Sequence, residues 1–182
     1  MEALMIKVNQ NAQPAAYEPK LNFAFYKQTR DDEDLKGNDY PDGFSALVDG
    51  LLNESVDAIV AAYFHSLAWY KRNQPSVDAV EEALEATVFA SDEATDKAFN
   101  DILGELKKDD FLARRLKQFI KDRNKNADMA QKQMEVEEDK SRRQQLALGL
   151  EELTDDIHKL KALLATNESS PEPEGATSRP LN

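Results

Sequence analysis

Cysteine is absent from the 182 residues, which excludes disulfides, thiolate nucleophiles and Cys-ligated zinc or iron–sulfur centres. Histidine is scarce: His65 and His158 are the only two, and no motif joins either to a nucleophile. GxGxxG, a phosphate-cradling loop, HExxH and GxSxG are all missing. No run approaches the roughly 18–20 apolar residues that span a bilayer. The opening MEALMIKVNQ has no basic n-region, which argues against a secretory signal. Positive charge is outweighed: 23 Lys and Arg against 35 Asp and Glu give a net −12. That balance disfavours nucleic acid as the main partner and a membrane-adherent surface. The reading so far is an acidic, soluble, intracellular protein with no cofactor, no metal centre and no catalytic set.

What is present is mostly helical patterning. The N-terminus is the exception. Leu4, Ile6 and Val8 alternate with Met5, Lys7 and Asn9, and after NQNAQPAA the alternation resumes through Tyr17, Leu21 and Phe23. Period two on both sides of a polar turn predicts a β-hairpin with one buried face. Pro19 places the second strand at an edge. FAFYKQTR follows as a short helix. DDEDLKGNDYPD then carries six acids against Lys36; it reads as a solvated loop, lacking the spacing of a calcium-binding EF-hand.

From Gly43 to Asn124 the pattern is helical and punctuated. GFSALVDGLL is a short amphipathic helix. Ser55, Ser76, Ser91 and Asp110 each stand where a helix needs an N-cap. Val77, Val80 and Leu84 form one apolar stripe; Phe99, Ile102 and Leu106 form the next. Leu112, Leu116, Phe119 and Ile120 form a third. Residues 126–145 are mostly charged or amide-bearing. Leu146, Leu150, Leu153, Ile157, Leu160 and Leu164 then recur at alternating spacings of four and three, a heptad seam. TNESSPEPEGATSRPLN has little to bury and is expected to be disordered. The predicted fold is therefore mainly α, a small helical bundle with an N-terminal β-hairpin and a long C-terminal helical extension. Its divisions are a helical domain over 1–124, a charged helix with the seam over 125–165, and a tail over 166–182.

The run SVDAIVAAYFHSLAWY, residues 55–70, is apolar nearly all round. Val56, Ile59, Val60, Tyr63, Phe64, Leu67 and Tyr70 form one broad stripe, and such a helix usually lies central in a bundle. His65 and Trp69 stand one turn apart on the other side. Both read first as packed residues, with a partner-binding surface as the competing reading, since Trp anchors are enriched at interfaces.

In this order, KLNFAFYKQTR, DGFSALVDGLL, SVDAIVAAYFHSLA, PSVDAVEEALEA and ILGELKKDDFLARRLKQFIK resemble the tail assembly chaperones of long-tailed bacteriophages, over roughly residues 1–124. DGF followed by LL, and PS followed by VEEALE, carry the resemblance most sharply. It implies a non-enzymatic chaperone or adaptor in virion morphogenesis that binds the tape measure protein and helps recruit the tail tube protein. It further implies action in the host bacterial cytoplasm, absence from the finished virion and, in many such phages, a C-terminal extension made by frameshifting. An acidic, soluble cover suits a long apolar-striped client that would otherwise aggregate.

Two other readings compete. One is a helical structural or regulatory protein, a homo-oligomer dimerising through the C-terminal seam as a coiled coil. The other is a nucleic-acid module using Arg114 to Lys125, where six basic residues face only Asp122; too few aromatics interleave for base stacking. The seam leucines need a partner. The charged run before them favours an arm reaching out to a client or a second subunit, so all six join His65 and Trp69 as candidate partner-binding residues.

Overall fold

The computed structural model describes residues 1–8, 13–38 and 40–165. Residues 9–12, where a polar turn is expected, and 166–182, expected to be disordered, lie outside the described residues. The fold is mainly helical, with a two-stranded antiparallel hairpin and a long C-terminal helix, as the sequence predicts. Strands β1 (Leu4–Ile6) and β2 (Ala15–Tyr17) pair with Leu4 opposite Tyr17 and Ile6 opposite Ala15. Leu4 and Ile6 are buried and Met5 is exposed, so the alternation holds. It stops sooner than predicted, because Val8 is exposed and Phe23 already belongs to a helix.

Helix α1 (Phe23–Arg30) starts where the Asn22 side chain accepts from the amides of Ala24 and Phe25. It buries Phe25, Tyr26 and Thr29. The acidic stretch is not all loop: Asp32 caps a single turn, α2 (Glu33–Lys36). Helix α3 (Gly43–Leu52) is capped by Asp42. It is enclosed on nearly every side rather than amphipathic, with Asp49 buried among its apolar residues. Helix α4 (Val56–Ser66) begins at Ser55, which makes no side-chain cap bond. It is central as expected, touching α1 and α3.

The buried side of α4 differs from the predicted stripe. Ala58, Ile59, Ala62, Tyr63, His65 and Ser66 are buried, while Val56 is exposed. Small residues let neighbouring helices approach closely, so the alanine side is as much core as the aromatic side.

A 3-10 segment (Ala68–Asn73) leads to α5 (Val77–Glu85), capped by Ser76. Helix α6 (Asp92–Lys108) follows, capped by Ser91. Helix α7 (Asp110–Val136) runs 27 residues without a break through Asn124. Its cap is Asp109, one residue before the predicted Asp110; it accepts from Phe111 and Leu112 at 2.9 Å each. Asp110 sits in the first turn, where its charge suits the helix dipole. Tyr26 joins α1, α3 and α7, meeting Phe44 and Phe111 edge-on at 5.2 and 5.0 Å.

The last helix, α8 (Lys140–Ala165), overturns the expectation of an outward arm. Asp139 turns the chain, accepting from the Arg142 amide at 2.9 Å. Arg143 adds a bond to the Glu137 carbonyl at 2.5 Å. The helix then returns along α7 and reaches α6. Ile157 and Leu160 are buried in the chain's own core. The physical reason is economy of surface: a body within reach of a three-residue turn can bury these side chains without a second molecule.

Candidate functional site

His65 is buried near the C-terminal end of α4. Its Nε2 lies 2.9 Å from Asp32 Oδ2, while Asp32 Oδ1 accepts from the amides of Asp34 and Leu35 at 3.0 Å each. One carboxylate therefore fastens α2 to α4. Burial pushes the His65 pKa below its ordinary 6.5, and Asp32 pulls the other way. Among the described residues its buried Nδ1 has no hydrogen-bond partner. The pair lines a 550 Å³ cleft with Lys27, Gln28 and Phe64. Among the described residues, no group of three or more His, Asp or Glu is placed to hold a metal.

Trp69 is half-buried and points elsewhere. Its indole nitrogen donates to the Glu18 carbonyl at 2.9 Å, and the Lys20 ammonium lies 3.7 Å from its ring centroid. Neighbouring Tyr70 accepts from the Glu18 amide at 3.0 Å and meets the Tyr17 ring at 4.9 Å. Both aromatics fasten the segment after β2 to the helical body. The structure therefore does not bring His65 and Trp69 into one patch.

The seam residues divide into two groups. Ile157 and Leu160 are core, while Leu146, Leu150, Leu153 and Leu164 are half-buried. Around the first group is a polar arrangement that sequence reasoning missed. Arg123 of α7 forms an ion pair with Asp49 of α3, whose other oxygen accepts from the Tyr40 hydroxyl. Asn53 also donates to the Asp49 carbonyl, at 3.0 Å. Asp156 of α8 is buried, and loss of solvation raises its pKa against the pull of Arg123 and Lys159. Lys159 donates to the Leu52 carbonyl at 3.2 Å, at the last turn of α3. The available signal was an acid inside an otherwise apolar face, Asp49 beside Val48 and Asp156 beside Ile157; it marks a buried charge needing a partner.

Beside α8 lies an open groove of 660 Å³ between α3, α6 and α8. Leu51, Leu52, Phe99, Leu103 and Leu163 supply its apolar lining, with Lys159 among its polar residues. Lys107 at the end of α6 donates to the Leu163 carbonyl at 3.3 Å, tying down the last turn of α8. The basic stretch of α7 is partly spent on the fold: Arg115 lies 3.8 Å from Asp42 and 5.0 Å from the Tyr26 ring. Arg123 is held by Asp49.

The helical body thus leaves an open groove between α3, α6 and α8, lined by apolar and polar side chains alike. A family model described as phage tail assembly chaperone protein, TAC, matches residues 8–121, most of the chain. The chain belongs to the phage tail assembly chaperones. The match begins at Val8, within the N-terminal hairpin region, and ends in the middle of α7, so α8 lies beyond it. No curated protein and no solved structure gave a significant match.

Proposed function

We propose that this chain covers segments of the tape measure protein before the tail tube assembles around it, and helps bring tube subunits to that complex. It acts by binding, without turnover or cofactor, in the host bacterial cytoplasm, and it leaves before the virion is complete. Membership of the family over residues 8–121 carries this reading. The groove between α3, α6 and α8 supports it, because a helical client must hide an apolar stripe that water disfavours. Among the described residues, no helix is long and apolar enough to cross a membrane.

The test is co-expression with fragments of the tape measure protein from the same phage. A fragment that is insoluble alone should stay soluble and co-purify in buffer containing EDTA and no nucleotide. If co-purification requires ATP or a divalent cation, or no fragment is retained, the reading is wrong. The alternative of a coiled-coil dimer is weakened by the burial of Ile157 and Leu160 within their own chain.

A further inference from the structure

Helix α8 lies outside the family-matched residues, yet it sits upon them. Its hold combines two fully committed apolar side chains, Ile157 and Leu160, with polar contacts. Lys159 reaches the Leu52 carbonyl at 3.2 Å, and Lys107 reaches the Leu163 carbonyl at 3.3 Å. Asp156 is buried at a cost in solvation. Four of the six seam residues stay only half-buried. Only Glu137, Glu138 and Asp139 separate α7 from α8. Residues 140–165 hold acids and bases in nearly equal number, and α7, on which the helix mainly lies, is net basic. The groove beside it is lined by Glu54 and Asp96 together with Lys159, which favours a base at that position of an occupying helix.

We propose that the face beneath the C-terminal half of α8 is where a client helix docks, and that α8 is a resident stand-in that the client replaces. The replacing helix is amphipathic and carries the α8 order: apolar, spacer, base, apolar, as in Ile157, His158, Lys159 and Leu160. Each position has its reason. The base lies over the last carbonyls of α3, the negative end of that helix. Apolar residues three apart share one helix face and enter the core together. The groove along Leu103 and Leu163 lies open beside the occupied face, giving the incoming helix apolar surface before α8 is released.

This inference rests on the proposed client binding, and its test separates the two. Amide hydrogen exchange is measured on the full-length protein, alone and bound to the soluble tape measure fragment from the co-expression experiment. Replacement predicts that amides of 140–165 exchange at least tenfold faster in the complex, while those of α3 and α6 do not. Retained or increased protection of α8 in the complex overturns the replacement and leaves client binding standing. If no fragment binds at all, both fall. The variant Lys159→Ala weakens the hold of α8 at an exposed position, so fragment affinity should rise at least threefold, with Lys161→Ala as the control. Unchanged or weaker binding in Lys159→Ala overturns the proposal, because it makes α8 a neutral bystander or a wall of the site. Light scattering that finds a dimer in Lys159→Ala also overturns it, assigning the face to α8 of a second copy.

Discussion

At the scale of single residues, three positions make opposite demands on solvent and space. His65 is held neutral by burial, with its pKa below 6.5. As pH falls past 6.5 the unfolded chain takes up a proton first, so stability present at pH 7 is lost as pH falls through the lower folded value. Urea midpoints should decline from pH 7 to 5, and His65→Gln should flatten that decline; an unchanged slope would show that other groups cause it. Asp156 behaves in the opposite sense. Its raised pKa means that the ionised carboxylate costs stability at neutral pH. Asp156→Asn should therefore stabilise the protein at pH 7, read as a rise in Tm. The gain should shrink as pH falls through the raised folded value, because the wild-type carboxyl is then neutral too; a lower Tm at pH 7 would mean that Arg123 depends on that charge. Gly43 is a matter of space. A β-carbon there would collide with the Thr29 carbonyl and come within 2.9 Å of the Asp32 carbonyl. Gly43→Ala should cost about 1–3 kcal/mol in thermal or chemical melts. The DGF triplet that carries the family resemblance thus has a steric reason.

At the scale of elements, the helices over 43–124 were legible because their starts are marked by caps and their faces by period. Ser76 and Ser91 cap as read; Asp110 yields to Asp109 because adjacent acids give the sequence no way to choose. The return of α8 was not legible. The last turns of α7, over 125–136, are too polar to announce a packing face, and Leu146 to Leu164 name a seam without naming its partner. The pairs that bind distant elements, Asp32 with His65 and Asp49 with Arg123, are separated by stretches that carry no local sign of contact. Trp69 was ambiguous for a related reason, since an interface anchor and a fastening for an N-terminal segment look alike in sequence. The two halves of the seam give a mutational contrast. Ile157→Asp should lower the Tm of the whole protein by several degrees, because it leaves a charge in the core. Leu146→Asp, at a half-buried position, should cost much less. Equal losses at both sites would show that the seam acts as one unit.

At the scale of the whole molecule, α8 lies beyond the family-matched residues and packs upon them. We expect a fragment of residues 1–124 to melt cooperatively on its own, at a lower temperature than the full chain. It forfeits the burial of Ile157 and Leu160, worth about 1.5–3 kcal/mol each. Calorimetry decides: a soluble fragment with no transition would make α8 an essential part of the core. Much of the net charge of −12 remains on such a fragment, which keeps exposed apolar surface from associating at low salt.

Helix α7 passes the end of the family match without a break and continues to Val136. At 1.5 Å per residue, that places the turn at 137–139 roughly 24 Å beyond residue 121. A 26-residue helix pivoting there sweeps a radius of about 39 Å. Once loosened at its far end, α8 remains tethered at the tip of a stiff boom. Its return is then governed by an effective concentration set by the boom, independent of how much protein the cell holds. The same geometry makes rebinding fast and release brief, so whatever takes its place must already be within arm's length.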